Sequence, residues 1–419
     1  MPIIKGNNSN NKLVGESDVF GVTNKIYGYG GNDTLTGGFQ ADNYIWGGTG
    51  NDTIDGGTGL NRLYGEDGDD TITAGWSNAD SEAYGGAGND KLIAGDSGVY
   101  LDGGTGVDVM DGGAGADIYI VDNAKDQIIE DWVPEYDNQA NPTDTVRTSA
   151  SYVLGAEARI ELFETTKSSG TAGINLTGNN FSQTIKGNAG ANTLDGKSGN
   201  DILVGGLGAD KLIGGIGTDT ANYEASVAGI VANLTSPSAN TGEAAGDTFS
   251  SVENLRGSRF DDRLYGDGAN NTLMGGSGND YLSSIAGQDV IKGESGNDKL
   301  NGGAGNDILV GGSGNDVFVF TSALGSTNVD RITDFSVPYD SIHLDNAVFT
   351  KLTPTGGLAA SAFAANATGT ATDKSDRIIY ETDTGKLFYD ADGSGSGKAI
   401  QFATLSAGLS LAAADLFVI

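Results

Sequence analysis

Residues 257–319 run without slippage through seven units of nine: GSRFDDRLY, GDGANNTLM, GGSGNDYLS, SIAGQDVIK, GESGNDKLN, GGAGNDILV and GGSGNDVFV. Position six is always Asp or Asn: Asp262, Asn271, Asp280, Asp289, Asp298, Asp307 and Asp316. Position eight is apolar: Leu264, Leu273, Leu282, Ile291, Leu300, then Ile308 with Leu309 beside it, then Phe318. One inward residue in nine does not fit an amphipathic helix, whose apolar stripe recurs every three to four residues. Glycines at positions one, two and four let the backbone turn through positive φ and approach closely. The three residues after position six read as a short strand. Its central side chain points inward and stacks on the equivalent residue of the next coil, about 4.8 Å away.

Such a core is thin. One apolar residue in nine buries too little to offset the ordering entropy of so many glycines. The Asp column points to calcium as the second source of stability. A hard cation takes oxygen ligands, and here Asp supplies a carboxylate while tight glycine turns supply carbonyls. A disordered Gly/Asp linker would have no reason to keep an apolar residue at every ninth position. The charge balance agrees: 23 basic and 56 acidic side chains among 419 residues leave a formal net charge of −33. Compaction is opposed until cations neutralise that excess, so folding and ion binding are expected to be one event. The same excess argues against a nucleic-acid partner, which needs a basic surface. With no cysteine and a single histidine, most metal and triad chemistry is excluded. No apolar run approaches the length of a membrane helix, and the start, MPIIKGNNSNNKLVGES, lacks the apolar core of a secretory signal peptide.

The GGxGxDxUx pattern of these units resembles the RTX family, whose nonapeptides bind calcium. The resemblance implies an all-β fold: a parallel β-roll, or β-solenoid, with two nonapeptides per coil and calcium held between turns along each edge. It implies carboxylate ligands at position six, with Asp280, Asp298 and Asp316 on one edge, Asp289 and Asp307 on the other, and Asp262 in the first unit. Carbonyls near positions two and four would complete each shell, among them Gly276, Gly278, Gly303, Gly305, Gly312 and Gly314.

In chain order, residues 1–27 hold imperfect units with Leu13 and Ile26 inward and read as an N-terminal cap. Residues 28–120 form a first roll. Units beginning at Gly28, Gly47, Gly65, Gly85 and Gly103 place Asp33, Asp52, Asp70, Asp90 and Asp108 on one edge. The intervening units carry Asp42, Asn61, Ala79 or Asp80, and Val99, and recover the full motif only at Asp117. A continuous calcium row on one edge and a sparse one on the other are therefore expected. Residues 121–177 break the period. IYIVDN, DQIIEDW, DTVRTSASYVL and RIELFET alternate as strands, with a loop near Asn141 and Pro142, and read as a β insert continuing the roll. Residues 178–222 resume the count with Gln183 and Asn192 in the ligand place, followed by Asp201, Asp210 and Asp219. Residues 223–256 form a second β insert in which VAGIVANL and DTFSSVENLRG read as strands, and residues 257–319 a third roll. Residues 320–419 carry larger apolar residues and read as a C-terminal β domain. It resembles the export region of RTX proteins that leave the cell by type I secretion, and Asp415, Leu416, Phe417, Val418 and Ile419 match the family's acidic-then-apolar terminus.

Several short matches to catalytic motifs fail on context. Gly95, Asp96, Ser97 and Gly98 spell GDSG but sit in the repeat frame. Gly196, Lys197 and Ser198 end like a phosphate-binding loop, yet Ala191 stands where its first glycine belongs. His343 reads as the outward residue of a strand, and no HExxH zinc motif exists. Asp390, Asp392 and Ser394 resemble the front half of an EF-hand loop, although Gln401 replaces its closing Glu. A turn held by Asx hydrogen bonds explains them equally well.

The expectation is a secreted, bacterial-type calcium-binding protein, binding rather than catalytic. It would meet a type I exporter, stay unfolded in the cytosol and fold on extracellular calcium as a matrix, adhesin or surface component, with acidic polysaccharide or a cell surface as partner. The rival readings are a solenoid polysaccharide lyase or epimerase and a pore-forming effector.

Overall fold

The computed structural model describes residues 1–17, 22–75, 80–130 and 143–419. The chain divides into two compact units, one comprising Met1–Gly206 with Asp210–Gly217 and the other Leu207–Ala209 with Thr218–Ile419. Each is a parallel β-solenoid. The loop expected near Asn141 and Pro142 and the end of DQIIEDW lie outside the described residues.

In the first unit the strands Thr23–Gly30, Asp42–Thr49, Asn61–Asp67, Ser81–Ala87 and Val99–Thr105 pair in parallel, rung on rung. The ladder continues through Ile118–Val121, Thr145–Thr148, Leu162–Thr165, Thr184–Lys186 and Ile202–Val204. Register puts Ile26, Ile45, Leu63, Ala83, Leu101, Tyr119, Val146, Phe163, Ile185 and Leu203 in one inward column, every member fully buried. A second ladder stacks Leu35, Ile54, Ile72, Leu92, Met110 and Ile128. Leu13 begins that column half-buried, as the end of a solenoid must. The strands of the first insert thus stay in register with the repeats before them, because alternation offers an inward apolar residue even where the glycine turns are lost.

The outward residues beside the first column stack as well. Tyr27, Trp46, Tyr64 and Tyr84 lie ring on ring at 4.6, 5.6 and 5.0 Å between centroids and within 7° of parallel. The ring faces cover one another, so this pile contributes stacking energy along the roll and leaves ring edges outward.

In the second unit the inward columns are Ala221, Leu255, Leu273, Ile291, Leu309 and Ile332, and Ala232, Leu264, Leu282, Leu300, Phe318 and Ile342. Leu309, fully buried, is the inward residue of its unit, and Ile308 is 38% exposed, which resolves the shifted eighth position in favour of strict register. After Phe320 the chain forms the antiparallel pairs of Ile378–Glu381 with Lys386–Tyr389 and of Lys386–Tyr389 with Ile400–Thr404. Phe320, Phe349, Tyr389 and Phe402 meet edge to face there, a broader core than the repeats possess. The tail strand Leu416–Val418 pairs parallel to Ser341–Leu344 on one side and antiparallel to Gly356–Gly357 on the other.

Candidate metal rows

Each position-six Asp lies two residues before an inward apolar residue, so alternation turns it inward at the mouth of the coil. Its backbone N–H donates to Oδ1 of the equivalent Asp one coil on: Asp33 to Asp52, Asp52 to Asp70 and Asp70 to Asp90 at 2.7 Å each, and Asp90 to Asp108 at 2.8 Å. In the second unit Asp262 bonds Asp280, and Asp280 bonds Asp298, both at 2.8 Å, while Asp298 bonds Asp316 and Asp289 bonds Asp307 at 2.9 Å. These carboxylates are almost wholly buried, from 0 to 2% exposed.

The other oxygen is the informative one. Oδ2 of Asp33, Asp52, Asp70, Asp90, Asp108, Asp117, Asp280, Asp289, Asp298, Asp307 and Asp316 is buried without a hydrogen-bond partner. A buried unpaired carboxylate oxygen is costly, and here the cost repeats along each row. The position-one glycines show where these oxygens aim. A Cβ on Gly275 would run into Asp280 Oδ2 and lie 2.8 Å from the Gly293 carbonyl oxygen of the next coil. On Gly47 it would meet Asp52 Oδ2 and, at 2.7 Å, the Gly65 carbonyl. Two acceptors and no donor converge on one small cradle, which is the donor set of a hard cation. Position four is equally constrained: Gly305 holds φ +148°, and a Cβ there would enter the Gly287 carbonyl. Gly276, Gly278, Gly303, Gly312 and Gly314 also hold positive φ, so the turns meant to supply carbonyls have the conformation they need.

Without a cation the rows resist ionisation. Burial, reinforced by the neighbouring carboxylate of the row, pushes Asp52 and Asp70 up to about 6, Asp90 to about 7 and Asp280 to about 8. Asp108, Asp289 and Asp298 rise to about 6 for the same reason.

Other anticipated residues fall differently. Asp201 accepts the Gln183 N–H at 2.7 Å and Asp210 the Asn192 N–H at 2.8 Å, continuing the rows, and Asp219 is buried. Asp262 differs from its neighbours, because the Ser258 N–H and Oγ donate to its Oδ2 at 2.5 and 3.0 Å. On the sparse edge of the first roll the buried column is Asn24, Asn43, Asn61 and Ser81, so Asn43 replaces the anticipated Asp42 and Ser81 the anticipated Asp80; Ala79 lies outside the described residues. Asp390 and Asp392 accept N–H groups of their own loop, from Asp392 at 3.1 Å and Gly397 at 2.9 Å, the Asx arrangement. His343 is a half-buried outward strand residue against Phe417, with its pKa lowered by burial. The rows also extend to residues not anticipated above: Asp108 bonds Asp126 at 3.1 Å, eighteen residues on, and, outside the period, Asp117 bonds Asp144 at 2.8 Å, Asp307 bonds Asp330 at 3.2 Å and Asp316 bonds Asp340 at 3.0 Å.

The family model of the RTX calcium-binding nonapeptide repeat matches residues 23–44, 46–78, 84–119, 177–221, 247–282 and 285–318. Comparison with curated proteins finds no match. Stacked glycine turns, unpartnered inward carboxylates and the family match coincide on the same units. The chain is an RTX calcium-binding repeat protein, and its solenoid is a β-roll whose structural cofactor is Ca²⁺.

Proposed function

We propose that this chain is exported unfolded and folds outside the cell on calcium, with the named Asp rows as its ligands, and then serves as a matrix, adhesin or surface component. The observation that carries the reading is the run of buried Asp Oδ2 atoms without partners, in a chain of net charge −33. Sites of extracellular-module strength, about 10⁻⁴–10⁻³ M, stay empty in a cytosol and fill outside. A site whose Kd lies tenfold below the ambient calcium adds about 1.4 kcal/mol, and many in rows decide between coil and roll. The tail supports export before folding. Leu416 and Val418 are buried between two strands in the folded protein, so a type I exporter would read them only on the open chain. An acidic polysaccharide is the partner class a calcium-edged roll suits, sharing edge ions through its own carboxylates.

Far-ultraviolet circular dichroism tests the folding step. Titrating calcium into the chelated protein gives a cooperative coil-to-β transition near millimolar concentration that magnesium does not reproduce; a β spectrum already present in chelator overturns it. The export step is tested by removing residues 416–419. Secretion through a type I exporter falls several-fold, and undiminished secretion removes the tail from the proposal.

A further inference from the structure

The break in the repeats gathers three carboxylates in a way the rows do not. Asp117, Glu130 and Asp144 are all buried, and one oxygen of each lies within 4.8 Å of the others. Asp117 uses Oδ1 to accept the Val99 N–H at 2.7 Å, and its remaining Oδ2 is buried without a partner. Asp144 accepts the Asp117 N–H at 2.8 Å, which fixes it one coil on. Glu130 is not a repeat position. It follows the strand Gln127–Ile129, is 6% exposed, and accepts the Tyr119 hydroxyl.

The glycine that faces this cluster shows how it departs from an ordinary unit. At Gly47 or Gly275 a Cβ would meet the unit's own Asp and a glycine carbonyl of the next coil. At Gly112 it would meet the Tyr119 hydroxyl and, at 2.7 Å, Glu130 Oε2. A carboxylate therefore stands where a repeat supplies a carbonyl. Among the described residues no ion pair reaches any of the three acids. Residues 131–142, between Glu130 and Asp144, contain neither Lys nor Arg to neutralise them.

We propose that Asp117 and Asp144, at the end of their row, join Glu130 in a site of different make-up for a hard divalent cation of the calcium class, which fastens the first insert to the end of the first roll. Oxygen-only ligation excludes the soft transition metals. Three carboxylates on one ion give more charge than a repeat site, whose shell is largely carbonyl, so this site binds more tightly than the rows. The Tyr119 hydroxyl orients Glu130 from behind, as a supporting partner of a ligand does.

Equilibrium dialysis of calcium against the full-length protein and its Glu130→Gln variant tests the site without touching a repeat carboxylate. The variant is expected to bind one ion fewer and to lose the tightest step of the isotherm, with the remaining steps unmoved. An unchanged stoichiometry and isotherm overturns the proposal. Should the variant not fold, wild-type crystals grown with terbium decide: an anomalous peak between the three carboxylates supports the site, and filled repeat rows with no such peak refute it. Rows that bind no metal either would instead refute the calcium-row assignment.

Discussion

The two edges of the first roll share a backbone and differ in one atom type. On one edge Asp33, Asp52, Asp70 and Asp90 present Oδ2 atoms to glycine carbonyls, acceptor against acceptor, and Asp108 Oδ2 is likewise unpartnered. On the other, Asn43 Nδ2 donates to the Ala41 carbonyl at 2.8 Å, the Gly56 carbonyl at 2.9 Å and Asn61 Oδ1 at 2.9 Å. Asn24 Nδ2 joins the same ladder by donating to Asn43 Oδ1 at 2.9 Å. The amide brings its own hydrogens to the oxygens a cation would otherwise collect. With the Asp rows as the proposed ligands, a solenoid coil closes either by binding an ion or by stacking an amide, and only the first closure would answer to its surroundings. From Asn24 to Asn61 the second edge of the first roll is closed by amides, and an unpartnered carboxylate returns there only at Asp117, whereas residues 257–319 carry unpartnered carboxylates on both edges, at Asp280, Asp298 and Asp316 and at Asp289 and Asp307.

The largest effect separating the two closures is that of pH. Carboxylates at about 6 to 8 in the metal-free fold lie above the ordinary aspartate value of 3.8, so the fold binds protons more tightly than the unfolded chain does. Its stability is present below about pH 4 and is lost as pH rises through the folded values. One carboxylate raised from 3.8 to about 6 costs on the order of 3 kcal/mol at pH 8, and its row neighbours add costs of the same sign. In chelator the chain gains β signal on acidification from pH 8 to pH 4.5. In calcium the sign reverses, because protons compete for the same oxygens, and the calcium midpoint rises as pH falls. Circular dichroism at both pH values, with and without chelator, measures this; a metal-free spectrum indifferent to pH would mean that the row carboxylates are not the groups opposing folding.

The repeat frame made much of this legible. In residues 257–319 the position-eight column and the position-six carboxylates fall where the nine-residue count puts them, because two-residue alternation after a fixed glycine turn leaves no freedom. The misses come where turns change length. Asp144, Asp330 and Asp340 lie 27, 23 and 24 residues after their partners, so a count of eighteen passes them by. The usable signal was local: the ligand place lies two residues before the inward apolar one. Applied to Ile26, Ile45, Leu63 and Ala83, that rule finds Asn24, Asn43, Asn61 and Ser81, whereas counting from the turn gave Asp42. Glu130 had no such signal, since its burial depends on Tyr119 and on the course of the insert. The aromatic pile of Tyr27, Trp46, Tyr64 and Tyr84 lies one residue after the same inward column and was readable by the same rule.

A reciprocal exchange breaks the comparison at single residues. Asn43→Asp removes the Nδ2 amide group that donates to three oxygens at 2.8 to 2.9 Å and sets a charge against them. In chelator this costs about 3–5 kcal/mol, the range for an uncompensated buried charge. Calcium recovers part of that loss by filling a site the wild type lacks, so the variant depends more steeply on calcium. Asp70→Asn does the opposite. It relieves a buried carboxylate in chelator and, in calcium, forfeits roughly the 1.4 kcal/mol of one filled site. Trp46, stacked between Tyr27 and Tyr64 within the same roll, reports both changes through its emission wavelength during urea titration. If Asn43→Asp is as stable in chelator as the wild type, the amide ladder is not what closes that edge. The first roll would then have to be held by its apolar column and aromatic pile alone.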